Sequence, residues 1–237
     1  MPKTLIVTPT YNERENIEEL VKKISECDIS DLKIVVVDDN SPDGTAELAE
    51  KLASKFPLLV LKRERKSGLG TAYVHAFKKI LAGEFGENPD FIIQMDADLS
   101  HEPKAILNML TAAQNHDLVL GSRYIPGGAI KNWNVSRRLL SRFGNIYARA
   151  ILGLPYRDLT GGFKCFKRHV LENIDLDSLS SVGYNFQIET THKAHQKGYK
   201  IKEIPITFAE RKTGQSKINI PIILESFWKV LALRFKK

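Results

Sequence analysis

The sequence predicts an α/β protein: a mostly parallel sheet flanked by helices on both faces, with a helical C-terminal portion. Three observations carry this. Apolar runs such as KIVVV and FIIQM alternate with stretches of about ten to fifteen residues whose apolar positions recur at helical spacing. The runs are apolar throughout rather than at every second position, so the sheet they form needs cover on both faces. They also end abruptly on polar residues, twice on paired aspartates, in VDDNSPDGT (Val37 to Thr45) and MDADLS (Met95 to Ser100).

In chain order, Thr4 to Thr8 (TLIVT) is the first β-rich run. Asn12 reads as an N-cap with Glu15 three residues on, and Ile17, Leu20, Val21 and Ile24 share one helical face. Lys33 to Val37 is the second strand, and Ser41-Pro42 opens a helix through Leu48 and Leu52, proline being suited to a first turn. Leu58 to Leu61 is the third strand, and the glycine-bearing loop ERKSGLG leads into a helix from Thr71 to Leu81. Phe91 to Met95 is the fourth strand, Pro103 to Ala113 its helix, and Leu118 to Leu120 the fifth strand. After Gly121 the rhythm changes to a Pro/Gly loop (YIPGGAIK), a long basic helix over 135–152 and a strand-like GGFKCF. A helix around Phe186 to Gln196, a strand in YKIKEIPITF and a polar loop, ERKTGQSK, follow. From Ile220 to Phe235 apolar residues return at helical spacing above a basic end, as in a docking helix, an interfacial membrane helix or the start of an anchor.

With 237 residues and 43% hydrophobic content, the chain can bury a full core as one large domain. Cys27 and Cys165 form no CxxC pair, which suggests neither a disulfide framework nor a zinc site and fits a reducing compartment. The first apolar run is too short for a signal peptide, and no stretch approaches ~18 apolar residues, so the chain as given does not cross a bilayer. The net charge of +7 is unevenly placed: from Gly121 to Arg168 ten basic residues face one acid, Asp158, and the last nine residues add four more. Such asymmetry suits an anionic partner (nucleic acid, phosphorylated metabolite or anionic membrane) or a solvated basic face.

Ligands of parallel sheets bind beyond the carboxyl ends of the strands, which lines up 9–13, 38–44 and 96–100 along one crevice. Asp96 and Asp98, two apart at a strand end, point to one side and repel unless a cation offsets them. A few hard oxygens favour Mg²⁺ or Mn²⁺ shared with a phosphorylated substrate; the bland alternative is an exposed acidic turn. Of Asp38 and Asp39, one braces the SPDGT turn and the other is left for a ligand, such as ribose hydroxyls or a base edge. No GxGxxG follows the first strand and no P-loop is present, which disfavours dinucleotide binding and P-loop hydrolysis. His192 and His195 lack a third ligand nearby and read as structural, while His101 is weighed between a structural place and a substrate contact. Trp133 and Trp228 suit a membrane interface, with a core position equally open to Trp228.

The segments VTPTYNERENI, VVVDDNSPDGT, GLGTAYVHAF, MDADLSH, GSRY, DLTGGFK, GYNFQIETTHKAH and EIPITFAERKTGQSK stand in one order along nearly the whole chain. In that set the chain resembles the dolichol-phosphate mannose synthases of glycosyltransferase family 2, of the type without membrane-spanning helices of its own. The resemblance implies a GT-A type, Rossmann-like sheet with a C-terminal acceptor- and membrane-facing helical portion. It divides the chain into a catalytic domain over 1–218, with a nucleotide-sugar half (1–121) and an acceptor half (122–218), and an amphipathic helix over 219–237. The implied reaction moves mannose from GDP-mannose to dolichyl or another polyprenyl phosphate with inversion, giving a β-linked product, with Mg²⁺ or Mn²⁺ as cofactor. By position, Pro9, Tyr11, Glu13, Val37 and Asp39 fall in the guanine nucleotide pocket, Asp96 and Ala97 beside the donor, and Asp98 as metal ligand. Some relatives carry a glutamine where this chain has Ser100, so the metal set is Asp96, Asp98 and either Ser100 or a water. Arg123 and Arg137 match arginines that hold the lipid phosphate, and Arg211 and Lys217 match residues that close over the diphosphate. Asp98, Arg123 and Arg137 are thus the catalytic candidates.

The chemistry agrees with that implication. An acceptor phosphate is anionic near neutral pH and can attack an anomeric carbon without a strong general base. What it needs is charge control, and basic residues beside a DAD supply it. The expected place is the cytoplasmic face of a membrane, endoplasmic reticulum in a eukaryote or plasma membrane in a prokaryote, with peripheral binding through the 135–152 helix and the basic tail. A small membrane-anchoring subunit is left open as a partner, and nucleic acid is not expected. The competing reading nearest in chemistry is a polyprenyl-phosphate glucosyltransferase, or one for another sugar, with a UDP donor. A non-catalytic phosphate- or RNA-binding module is disfavoured, because the DAD would repel a nucleic-acid backbone.

Overall fold

The computed structural model describes residues 2–86, 88–179, 183–210 and 220–235. The strand–helix alternation comprises β1 (Thr4–Thr10), α1 (Arg14–Ser25), β2 (Leu32–Asp38), α2 (Thr45–Leu52), β3 (Leu58–Lys62), α3 (Leu69–Leu81), β4 (Phe91–Gln94), α4 (Ala105–Ala113) and β5 (Leu118–Ser122). The second half adds β6 (Ala129–Lys131), α5 (Val135–Leu152), β7 (Lys164–Lys167), α6 (Arg168–Asn173), α7 (Tyr184–Gln196), β8 (Ile201–Pro205), β9 (Thr207–Ala209) and α8 (Ile220–Phe235). The main sheet runs β3-β2-β1-β4-β7-β5-β8, and β7 is antiparallel to both its neighbours within an otherwise parallel array. A strand from the second half therefore completes the middle of a sheet begun by the first. β6 and β9 form a separate parallel ladder.

Strand alternation explains why the runs are apolar at every position. Ile6, Ile34, Val36 and Ile93 pack into one layer with Leu20, Ile24, Ala49 and Met109 of the helices on that side. Leu5, Val7, Val35, Val37 and Ile92 point the other way, onto Tyr73, Phe77, Val170 and Phe186. Each such residue contributes about 1.5–3 kcal/mol by leaving water, so a polar residue at either parity would cost stability. A third cluster joins Ala148 and Leu152 of α5, Ile188 of α7, and Val230 and Leu233 of α8.

Several boundaries differ from the sequence reading, for local reasons. Asn12 is not the N-cap of α1: its φ is +60° and Glu13 holds that position, without a side-chain cap bond. Helix α2 begins at Thr45 rather than Ser41-Pro42. The Asp38 carboxylate takes the Ser41 N–H and hydroxyl, and the Asp43 carboxylate takes those of Thr45. These side-chain bonds compete with a helical first turn and hold 41–44 as a loop. Helix α3 starts earlier than Thr71, at Leu69, and α4 later than Pro103, at Ala105. Both cysteines are buried and free. α8 docks on α5 through the stacked rings of Tyr147 and Phe227, 4.0 Å apart, and Trp228 lies exposed on it rather than in the core.

Candidate active site

The register of β1, β2 and β4 brings the segments after Thr10, Asp38 and Gln94 to one edge of the sheet. The two aspartate pairs share that edge, yet their surroundings differ.

Asp38, fully buried, accepts from the Thr10 hydroxyl (2.8 Å), the Ser41 hydroxyl (2.6 Å) and the Ser41 N–H (2.8 Å), so it is the residue that braces the turn. Asp39 is ion-paired with Arg63 and accepts the N–H groups of Ser67 and Gly68, both at 3.2 Å. Arg63 also donates to the Thr71 hydroxyl at 3.1 Å. The corner that the sequence reading left for a ligand is thus a tied junction of β2, the 63–68 loop and α3. Tyr11 lies beneath Lys66, whose Nζ is 3.6 Å from the ring centre. Glu13 donates its N–H to the Thr45 hydroxyl (3.0 Å) and accepts from Asn16 (2.8 Å). Pro9 is half-buried. Val37 and Ala97 sit with their side chains in the core, so a ligand contact at either position runs through backbone.

At the second pair, Asp98 is buried and its Oδ1 accepts the Ser100 N–H at 3.1 Å, folding the loop back on itself through Leu99 at φ +59°. Asp96 packs on the backbone of Gly162: a Cβ there would lie 3.1 Å from Oδ2 and 3.2 Å from Oδ1, tighter than side chains ordinarily pack, so glycine eases the approach of the two segments. Tyr73 is wholly buried beneath this loop, and burial, aided by the charges of Asp96 and Asp98, pushes its phenol pKa up and keeps it neutral. His101 is buried between Phe163 and Phe208, with ring centres 5.0 and 5.1 Å away, and its Nδ1 accepts the Asp96 N–H at 3.4 Å. Burial lowers its pKa to about 4, so the ring is neutral where it packs under the DAD. The Ser100 hydroxyl is buried and has no hydrogen-bond partner among the described residues. Among the described residues no cluster of three His, Cys, Asp or Glu could hold a metal, and His192 and His195 belong to none. The donor set is two carboxylates and an orphaned hydroxyl, all hard oxygens, which fits Mg²⁺ or Mn²⁺ shared with phosphate oxygens.

The ten basic residues do not act as one patch. Lys164 is buried on the α7 side, bonded to the Gln187 carbonyl and the Thr190 and Thr191 hydroxyls. Lys167 and Arg168 lie beside the start of β4, at the opposite edge, where they meet Asp117 and Glu172. Arg123 is held by Asp158: Nε and Nη2 each lie 2.7 Å from a carboxylate oxygen, the Arg123 N–H reaches the same group at 2.9 Å, and both side chains are buried. Arg137, on α5, pairs with Glu210 at 3.0 Å and lies 4.1 Å above the Trp133 ring centre. Arg123 and Arg137 line a cavity of ≈ 140 Å³ between α5, α7 and α8, otherwise walled largely by apolar residues such as Leu140, Phe143, Tyr147 and Phe227. Arg211 and Lys217 lie outside the described residues. The sequence reading missed Asp158, Asn145, Tyr73 and Arg63. Asp158 had a signal, being the one acid in a basic run; the others had none.

Residues 5–175 match the family described as "Glycosyl transferase family 2". The chain is 42% identical over 231 residues to a polyprenol monophosphomannose synthase of Mycolicibacterium smegmatis, covering 96% of this chain and 85% of that protein. It is 39% identical over 225 residues to an undecaprenyl-phosphate mannosyltransferase of Micrococcus luteus, covering 94% and 90%. Among solved structures, a mannosyltransferase from Pyrobaculum calidifontis in complex with GDP-Man and Mn²⁺ superposes with a TM-score of 0.62 at 19% identity, over 99% of this chain and 73% of that one. A glucosyl-3-phosphoglycerate synthase from Mycobacterium tuberculosis, with Mn²⁺ and UDP, gives 0.67 at 17% identity, over 98% and 78%. At these identities the two structures establish a shared fold.

Proposed function

The chain belongs to glycosyltransferase family 2, and from that premise we propose that it is an inverting mannosyltransferase that moves mannose from GDP-mannose to a polyprenyl phosphate of the dolichyl type. The observation that carries the reading is one loop, 158–162. At one end Asp158 orients Arg123 at an apolar cavity; at the other Gly162 lies against the Asp96 carboxylate. A phosphate with an apolar tail and a sugar diphosphate call for those two environments side by side.

In this mechanism Pro9, Tyr11, Glu13, Val37 and Asp39 line the nucleotide pocket, with Asp39 acting through the junction it makes with Arg63. Asp96 and Asp98, with Ser100 as a third oxygen, would hold the divalent cation. When bound, that cation supplies Lewis-acid neutralisation of the departing diphosphate. Arg123, fixed by Asp158, and Arg137, backed by Trp133 and Glu210, hold the acceptor phosphate against repulsion from the donor. A phosphate oxygen attacks the anomeric carbon as its bond to the GDP oxygen breaks on the opposite face, giving a β-linked mannosyl phospholipid from an α-linked donor. No proton needs to be removed from the nucleophile. By the family resemblance Arg211 and Lys217, outside the described residues, are assigned to the diphosphate. The division into 1–121 for the nucleotide sugar, 122–218 for the acceptor and 219–237 as an amphipathic helix belongs to the same reading.

Membrane attachment is peripheral, at the cytoplasmic face, with a small anchoring subunit as an optional partner. Among the described residues no helix is long and apolar enough to cross a membrane. Val135, Leu139, Phe143 and Ile146 of α5 and Trp228 of α8 stand exposed, 54–74% open to solvent, with Arg138 and Arg142 on the same helix. Such a face suits an anionic interface.

Two measurements test the reading. Titration with GDP-mannose, GDP and UDP-glucose plus Mn²⁺ is expected to give stabilisation by the guanine ligands; a response to UDP-glucose alone sinks the mannose assignment. Asp98→Ala is expected to lower transfer to polyprenyl phosphate by at least 100-fold with folding intact, and full activity there would remove the DAD from the mechanism.

A further inference from the structure

Helix α5 is mostly exposed, and its buried residues are Asn145, Ala148 and Leu152. Asn145, 2% exposed, is the polar one. Its Oδ1 accepts the N–H groups of Leu159 (2.7 Å) and Thr160 (3.2 Å), and its Nδ2 donates to the Thr160 hydroxyl (3.0 Å) and the Ser141 carbonyl (2.9 Å). Two backbone donors on one side and a carbonyl on the other dictate which way the amide points. The Thr160 hydroxyl also accepts from Arg123 Nη2 at 2.9 Å. Beyond Thr160, a Cβ on Gly161 would lie 3.2 Å from the Gly121 carbonyl, and one on Gly162 would lie 3.1 Å from Asp96. The 158–162 loop is therefore clamped to α5 at one end and rests on a DAD carboxylate at the other.

We propose that Asn145 is a positioning residue for transfer. By pinning α5, which carries Arg137 and one wall of the lipid cavity, to the 158–162 loop, it sets the distance between acceptor phosphate and donor. The inference rests on the function proposed above. It deepens that reading by separating delivery of the acceptor from binding of the donor. The nucleotide edge is built by β1, β2, the 63–68 loop and β4, and Asn145 bonds to none of them. Displacement needs the reacting atoms about 3–3.5 Å apart, and an error of about 1 Å costs on the order of 100-fold.

The test uses the full chain with Asn145→Ala, Asn145→Asp and Thr160→Val. Asn145→Asp keeps the acceptors for Leu159 and Thr160 but faces the Ser141 carbonyl with an oxygen. Thr160→Val removes the shared hydroxyl at nearly constant volume. Transfer from GDP-mannose to a short-chain polyprenyl phosphate, donor Kd and the fraction of donor lost to water are measured together. The expected result is a kcat for transfer lowered about 10–100-fold, a donor Kd within about twofold of the parent and a larger share of hydrolysis. Unchanged kcat in the folded variants overturns the inference. So does a parallel loss of donor binding, which marks a purely structural residue. If Asn145→Ala does not fold, the other two carry the same comparison. Asp98→Ala separates the two layers: full transfer by that variant removes the functional reading, whereas loss there with normal transfer by the Asn145 variants removes this inference alone.

Discussion

Replacing Asp158 with alanine is expected to cost about 3–5 kcal/mol of folding stability, the usual result of breaking a buried ion pair from one side. The structure sets the size. Asp158 has no solvent exposure and Arg123 about 5%, and the carboxylate takes the Arg123 backbone N–H, Nε and Nη2 at 2.9, 2.7 and 2.7 Å. Alanine leaves a guanidinium and a backbone N–H without that partner, in a site that also holds Thr160 and the Phe208 and Trp133 rings. For a chain of this length, about 2–4 °C per kcal/mol places the Tm fall at roughly 6–20 °C, read by calorimetry or thermal circular dichroism. The control is Arg123→Met with Asp158→Leu, which removes both charges at similar volume. It is expected to recover most of the stability but not the transfer reaction. A single variant within about 1 kcal/mol of the parent, or a double variant no more stable than the single, would refute the claim that Arg123 is held by a desolvated charge pair.

Three further predictions follow from the same geometry. His101 has its pKa lowered to about 4 by burial, so the folded state holds it neutral while the unfolded chain protonates it near 6.5; this stabilisation is complete above pH 6.5 and is lost as pH falls toward 4, by at most about 3 kcal/mol. His101→Phe should flatten that part of the urea-denaturation profile, and an unchanged slope would count against the burial argument. Arg63→Met frees Asp39 and loosens the 63–68 loop, so the donor KM is expected to rise about tenfold with kcat nearly unchanged; a fall in kcat at constant KM would place the junction in the chemistry instead. Leu139→Glu with Phe143→Glu alters two residues each 62% exposed, so Tm should barely move while flotation with anionic liposomes drops at least tenfold; equal flotation would remove α5 from the membrane face.

Long apolar runs were legible because both faces of the sheet are covered, and α5 and α8 begin and end where their spacing says. The start of α2 was not legible, because Asp38 and Asp43 spend their oxygens on Ser41 and Thr45, a choice made by side-chain geometry that a proline signal does not encode. The antiparallel β7 was hidden for a similar reason. GGFKCF reads as a strand, but nothing in it says that it enters between β4 and β5.

The sequence by itself determined the layer architecture, the family and the two aspartate pairs at one sheet edge, since hydrophobic period and motif order are local properties written residue by residue. The tertiary structure decided which charges meet. It gave Asp39 to Arg63, sent Lys164 into the core and Lys167 and Arg168 to the far edge, and paired Arg123 with Asp158 thirty-five positions away. Coulombic and hydrogen-bond partners depend on distances of a few ångströms and on loss of water, and both exist only once the chain has closed on itself.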